Sequence, residues 1–328
     1  MGIKSLLKFL ENYDTSIINK IDDNNLKFKK IAIDISILLY QVIIAIRNSG
    51  SDLTNQQGEI TSHILGLFNK TIFLLKKNII PIYVFDGKPP ALKNKILDIR
   101  RNIKKKSYIK YKNSITVDDK IKYFKRTVTI TKKQIDETKE LLDTMGIPYI
   151  YAPEEADSQC SYLAKNGFVD GVLTEDMDIL TFGSPVIYRN LSSYKKPTIE
   201  IRLDNILSKL QLTREQFIEF CILLGCDYND NIKGVNSKDM YSYYIQFKNI
   251  PETLTYLKSK GINTNNFKNY DTIKKYFKDT ANVNKNIPIL ELQKPDINKL
   301  EDILVNKYGL LKDKLYKKLI FLKKNNTN

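Results

Sequence analysis

Residues 30–47 read KIAIDISILLYQVIIAIR. Lys30–Asp34 is a short apolar run that stops on an acid, the pattern of a buried strand. Ser36–Arg47 continues for three turns with a polar residue only every few positions, which reads as a helix. The same pairing recurs along the chain. A strand-like run at Ile79–Phe85 meets Asp86 in IYVFDGKPP, after a helical pattern over Ser62–Lys77. Strand-like runs at Tyr149–Tyr151 and Gly171–Leu173 alternate with helical patterns over Lys132–Met145 and Glu154–Ala164. Strands that alternate with helices predict the α/β class, with a mainly parallel central sheet flanked by helices. Ligands of open α/β sheets collect beyond the carboxyl ends of the strands. Asp34, Asp86, Asp176 and Asp178 all fall at or just past such ends, so a shared acidic site is expected.

The chain has 328 residues, 42% of them hydrophobic, enough for a sizeable core. Its 53 Lys and Arg against 37 Asp and Glu leave a net charge of +16, which points to a polyanionic partner. No apolar run is long enough to span a bilayer. The opening MGIKSLLKFL has Leu6 where a myristoylation signal needs Ser or Thr, and it lacks a secretory signal. An intracellular protein is expected. Cys160, Cys221 and Cys226 form no CxxC pair and read as reduced core thiols. The single histidine, His63 in TSHILGLF, reads as a surface or structural residue. With one histidine, no GxSxG and no HExxH, a hydrolase would have to rely on oxygen ligands and metal-bound water.

The acids supply such ligands. Besides Asp34 and Asp86, they are Glu155 and Asp157 in PEEADSQC, Asp176 and Asp178 in LTEDMDILTFGSP, and Asp227 in LLGCDYND. Each alone has a simple reading as a cap, a turn former or a first-turn acid. Gathered in a chain of +16, they would repel one another and any nucleic acid unless cations neutralised them. Two Mg²⁺ ions, for which Mn²⁺ can substitute, fit an all-oxygen set and in-line phosphodiester displacement. Between Lys88 and Arg126 the chain is dense in Lys and Arg, with Tyr108, Tyr111 and Tyr123 interleaved. That composition suits a phosphate backbone and stacked bases. Beyond Thr213 helices are expected over Arg214–Leu224, Ser237–Phe247, Pro251–Ser259, Lys299–Lys307 and Leu311–Lys323.

Taken in order, MGIKSLLKFL, KIAIDISILLYQVIIAIR, GEITSHILGLF, PIYVFDGKPPALK, MGIPYIYAPEEADSQC, TEDMDILTFGSP and EFCILLGCDY resemble the flap endonucleases, the structure-specific 5′ nucleases of the Rad2/XPG group. The resemblance runs from Met1 to about Phe247 and more weakly to about Leu322. It implies a PIN-like 5′-nuclease fold forming a single domain over 1–328. Within it, 1–105 and 132–224 would be nuclease regions, 88–131 a helical arch, 225–260 a helix-two-turn-helix and 261–328 a helical C-terminal part. The implied activity is two-metal cleavage of 5′ flaps at single-/double-stranded DNA junctions, with 5′–3′ exonuclease activity, in replication and repair.

Carried over by position, Asp34, Asp86, Glu155 and Asp157 resemble a first metal set, and Asp176, Asp178 and Asp227 a second. Lys93 and Arg100 match cations placed against the scissile phosphate. Tyr40 matches a base-stacking aromatic. Arg47, Arg101, Lys104, Gly234 and Lys238 match DNA-contact positions. The implied protein is a monomer on branched or flapped DNA, acting in the nucleus, or in the cytoplasm if viral.

Three departures qualify this. Asp157 stands where the flap branch has Glu. The family's Gly-Ile-Gly-Pro-Lys hairpin is here Gly234-Val235-Asn236-Ser237-Lys238; Asn236 is expected to take over the left-handed conformation of the missing Gly. The absent Pro loosens that turn and argues against K⁺ binding there. No clamp-binding peptide (Gln-x-x-hydrophobic-x-x-aromatic) is visible near the end, so sliding-clamp recruitment is unsupported. The competing readings are an exonuclease-branch member and a catalytically idle DNA-junction binder. A membrane-surface protein ranks last, because the basic residues lie in an aromatic-bearing insertion rather than on an amphipathic helix.

Overall fold

The computed structural model describes residues 2–191, 196–265, 267–279 and 282–324. In chain order its first elements are α1 (Leu6–Tyr13), β1 (Ile18–Lys20), β2 (Lys30–Asp34), α2 (Ile35–Ile46), α3 (Ser62–Lys76) and β3 (Ile80–Phe85). Then come α4 (Asn94–Lys112), α5 (Val117–Lys125), α6 (Lys132–Met145), β4 (Tyr149–Tyr151), α7 (Ala156–Lys165), β5 (Gly171–Leu173), α8 (Ile179–Phe182), β6 (Val186–Arg189) and β7 (Ile199–Arg202). The rest is helical: α9 (Leu203–Leu210), α10 (Arg214–Leu224), α11 (Ser237–Phe247), α12 (Ile250–Ser259), α13 (Tyr270–Lys278), α14 (Ile297–Asp302) and α15 (Lys312–Lys324). These form two compact units. The first comprises Met1–Ile33, Asp86–Ile96 and Tyr151–Lys285; the second comprises Asp34–Phe85, Leu97–Ile150 and Asn286–Asn328.

In the first unit, β2 and β5 pair in parallel through Ile31↔Gly171 and Ala32↔Val172. β5 pairs in parallel with β6. Beyond them, β6–β7 and β7–β1 are antiparallel. The parallel part was expected. β1, β6 and β7 were not, because three or four residues are too few to show a period. Gly171 permits close sheet packing, since a Cβ there would lie 2.7 Å from the Tyr188 ring. α10 starts in a capping box between Thr213 and Gln216 and is buried from Phe217 to Leu224. α13, which no sequence pattern was read to mark, buries Ile273 and Phe277. At the hairpin, Gly234 takes the left-handed conformation with φ 83°. Asn236 does not, contrary to expectation. It is extended (φ −81°, ψ 168°), and its side chain caps α11 by accepting the Asp239 N–H. A good N-cap gains more from that bond than from a left-handed turn.

In the second unit α2 and α3 approach closely at Gly66, where a Cβ would lie 2.5 Å from Val42 Cβ. β3 is buried from Pro81 onward. The Tyr83 hydroxyl is 2.8 Å from Thr71 Oγ1. His63 is wholly buried on α3, with Nε2 2.8 Å from Glu137 Oε2. Burial pushes its pKa down to about 4, so the ring is neutral and structural. α4 buries only Ser107, as its charge density predicts. Tyr111 stacks on Phe124 at 5.2 Å. The helix expected over Lys299–Lys307 is α14 followed by a π-helical turn at Ile303–Lys307. Among the described residues no helix is long and apolar enough to cross a membrane.

Gly87 shows how tightly the acid-bearing turns of the first unit pack. Its N–H donates to the Glu154 carbonyl, and a Cβ would lie 2.2 Å from the Pro153 oxygen. Gly87→Ala must therefore displace backbone. Urea denaturation in EDTA is expected to show a loss of about 1–3 kcal/mol; an unchanged midpoint would mean that the turn relaxes freely.

Candidate metal centre

Most of the predicted acids lie in the first unit. Asp86 follows β3 and accepts the Ala156 N–H at 2.9 Å, so it caps α7 from outside that helix. Glu155 holds the N-cap position but makes no side-chain cap. The first-turn dipole reading of PEEAD therefore falls to Asp157, in the helix, and not to Glu155. Relieved of capping, the Glu155 carboxylate is gripped elsewhere. Lys93 Nζ donates to Oε1, and the Tyr228 hydroxyl donates to Oε2. The Tyr276 hydroxyl donates to Oε2 at 3.0 Å.

Asp157 on α7 and Asp176 and Asp178 ahead of α8 are all buried. One carboxylate oxygen from each lies within 4.8 Å of the other two. The resemblance placed Asp157 in a first set with Asp34, Asp86 and Glu155; its carboxylate also lies within this reach of Asp176 and Asp178. Asp178 Oδ1 is buried without a hydrogen-bond partner. Burial, reinforced by Asp176 and Asp227, pushes the Asp178 pKa up to about 8. Gly2 leaves room at the cluster: a Cβ there would lie 3.0 Å from both Asp176 Oδ1 and Asp178 Oδ1. Lys93 brings a cation to this site, with Nζ also 3.9 Å from Asp227 Oδ2. Burial opposes its charge, but Glu155, Asp157 and Asp227 outweigh that and hold it protonated. One ammonium cannot balance these carboxylates. Hard oxygen donors, an orphaned buried oxygen and crowded negative charge fit a divalent cation.

Gly234 and Lys238 also lie in the first unit, whereas the second holds Asp34, Tyr40, Arg47, Arg100, Arg101 and Lys104. Asp34 ends β2 and caps α2, accepting the N–H groups of Ser36 at 2.7 Å and Ile37 at 3.1 Å. Tyr40 is half-buried on α2. Arg100, Arg101 and Lys104 lie on α4; Arg101 pairs with Asp98 at 2.8 Å and Lys104 donates to Thr129 Oγ1 at 3.0 Å. Arg47, expected at a DNA-contact position, is engaged within the second unit. It is 8% exposed and forks onto Asp52 through Nε and a terminal nitrogen, at 2.8 and 2.9 Å. Its other terminal nitrogen donates to the Phe124 carbonyl and to Thr127, and the guanidinium lies 4.1 Å from the Phe124 ring centroid. Four of its five N–H donors are thus engaged inside the protein.

The sequence reading missed Tyr228 and Tyr276. Tyr228 adjoins Asp227 in CDYND, where attention went to the acid. Tyr276 lies on α13, whose apolar Tyr270, Ile273 and Phe277 at i, i+3 and i+7 were a legible signal.

The XPG N-terminal domain pattern matches residues 1–107, and the XPG I-region pattern matches 146–227. Flap endonuclease 1 of Debaryomyces hansenii is 37% identical over 96% of this chain and 86% of its own length. The chain belongs to the flap endonuclease family. A solved flap endonuclease-1 from Methanococcus jannaschii is 38% identical, with a TM-score of 0.74 over 94% of this chain and 97% of that one. The catalytic core of Rad2 in complex with DNA substrate is 26% identical, with a TM-score of 0.75 over 98% of this chain and 100% of that one. The family membership makes the chain a nuclease with the 5′-nuclease fold. The buried acids fit the divalent-metal site such an enzyme needs.

A raised Asp178 pKa sets the sign of a pH effect. The folded protein keeps a proton that the unfolded chain releases near 3.8, so metal-free stability falls as pH rises from about 4 to about 8. Asp178→Asn removes that group. In EDTA, its melting temperature should gain on wild type steadily across this window. Curves that stay parallel would show that this carboxylate carries no such strain.

Proposed function

We propose that the chain is a Mg²⁺-dependent, structure-specific 5′ flap endonuclease with 5′–3′ exonuclease activity. The observation that carries this reading is the convergence of Asp157, Asp176 and Asp178 beside Lys93 and Glu155, in a chain of +16 net charge. These acids with Asp227, Asp86 and Asp34 form the proposed ligand set. Divalent cations bound there would activate water and neutralise charge on the phosphodiester. Lys93 holds a proton against Glu155 and Asp227. Its positive charge is thus available to phosphate oxygens as negative charge develops. Arg100 is assigned the same electrostatic role, and Tyr40 base stacking.

The cationic α4 surface, with Arg101 and Lys104, is assigned to the phosphate backbone. The Gly234 turn has open space around it. With Lys238 in the first turn of α11, it offers a contact for duplex phosphates. The Rad2 relative solved with DNA substrate supports DNA as the partner. We assign the enzyme to replication and repair as a monomer at sites of DNA synthesis, with the regions 88–131 as arch and 225–260 as duplex-binding element.

Two measurements test this. Asp178→Asn should keep flap-DNA affinity within a few fold, while Mg²⁺-dependent cleavage of end-labelled flaps falls by at least about a hundredfold. Wild-type cutting by that variant would sink the metal reading, and product positions separate flap from exonuclease cleavage. Replacing Lys104, Lys105 and Lys106 by Ala should flatten the slope of log affinity against log salt by up to about 2–3. An unchanged slope would remove this face from the DNA path.

A further inference from the structure

We propose that Tyr276 is a positioning residue that restricts how Glu155 can ligate a cation, and so helps the centre discriminate Mg²⁺ from Ca²⁺. The inference rests on the divalent-metal reading above and goes beyond it to a residue outside both matched XPG regions. Glu155 is the one proposed ligand in the set with an extra methylene, and so with an extra rotatable bond to hold still. A carboxylate offers about two acceptor directions per oxygen. On Glu155, among the described residues, Oε2 receives two hydroxyls, from Tyr228 and Tyr276, while Oε1 receives Lys93. The tyrosines thus saturate Oε2 and leave Oε1 as the oxygen with a lone pair to offer. Mg²⁺ demands near-octahedral geometry and suits a single-oxygen carboxylate ligand. Ca²⁺ tolerates higher coordination and two-oxygen ligation. A Glu155 locked to one available oxygen therefore favours the smaller ion.

The hydroxyl is delivered by a fixed scaffold. The Tyr276 ring meets the Tyr228 ring edge-on at 5.2 Å and 71°, and the Phe182 ring at 5.7 Å and 78°. Phe182 ends α8, which begins directly after Asp178, so one ring abuts both the Glu155 clamp and the segment carrying Asp176 and Asp178. α13 is itself tied to α10. Lys274 pairs with Glu215 at 2.7 Å and with Glu219, and the Arg214 guanidinium donates to the Phe277 carbonyl at 3.3 Å. Hydrogen bonds of this kind to a ligating side chain typically change metal affinity tenfold or more when removed.

Tyr276→Phe tests the hydroxyl and keeps the ring. Isothermal titration calorimetry of DNA-free protein with Mg²⁺ and with Ca²⁺, alongside thermal melting, is the experiment. The expected result is a melting temperature close to wild type, with the ratio of Mg²⁺ to Ca²⁺ affinity lowered at least about fivefold. Tyr228→Phe removes the other donor to the same oxygen from a different element and should move the ratio in the same direction; it also serves if the first variant folds poorly. A ratio within twofold of wild type in the folded variants overturns the role of Tyr276 and leaves the metal reading standing. Failure of wild-type protein to bind either ion overturns the metal reading, and this proposal with it.

Discussion

Three buried carboxylates, from Asp157, Asp176 and Asp178, sit within 4.8 Å of one another, and like charges in a dry setting repel strongly. The surrounding architecture can be read as what holds them there. Parallel pairing of β2, β5 and β6 sets the strand ends. α7 begins against Asp86, which takes over the capping work and leaves Glu155 for other partners. Arg214 donates to the carbonyls of Thr181 and Phe182, closing the end of α8 just beyond Asp178. Each of these contacts ties down backbone that repulsion would otherwise spread. The strain on Asp178 is then relieved by a divalent cation rather than by folding.

A chain with an overall excess of positive charge has lysines enough to neutralise these acids itself. Lys93 does so, against Glu155 and Asp227. Most of the other cations lie elsewhere: α4 carries Arg100, Arg101, Lys104, Lys105, Lys106, Lys110 and Lys112 and buries only Ser107. Keeping the basic residues on a solvated helix preserves two separate electrostatic roles. Surface lysines attract a polyanion at long range, and buried acids hold small cations at short range.

The acids were legible in the sequence because their signal is local. A strand-like run ending in Asp needs only five or six residues to recognise, and β2, β4 and β5 were located to the residue. What was not legible depends on contacts between distant segments. β1 and β7 are short strands, weak in period, whose paired residues Ile18 and Ile201 lie 183 positions apart in the chain. The approach of Asp157 to Asp176 and Asp178 depends on the packing of α7 against α8, which no local motif carries. Asn236 was misjudged because the turn was compared with a glycine hairpin instead of being read as the cap of α11.

Arg47 shows the limit of carrying a role over by position. Its place in KIAIDISILLYQVIIAIR matched a DNA-contact position, but its behaviour is set by partners the motif does not contain. Asp52 lies five residues on, and Phe124 and Thr127 about eighty. A guanidinium forked onto a carboxylate, stacked on a ring and donating to a carbonyl and a hydroxyl has little left for phosphate. To reach DNA it would have to leave a paired, largely buried site and break its fork onto the half-buried Asp52. The energetic balance favours the internal role. Arg47 ties the end of α2 to the last turn of α5 and the residues just after it.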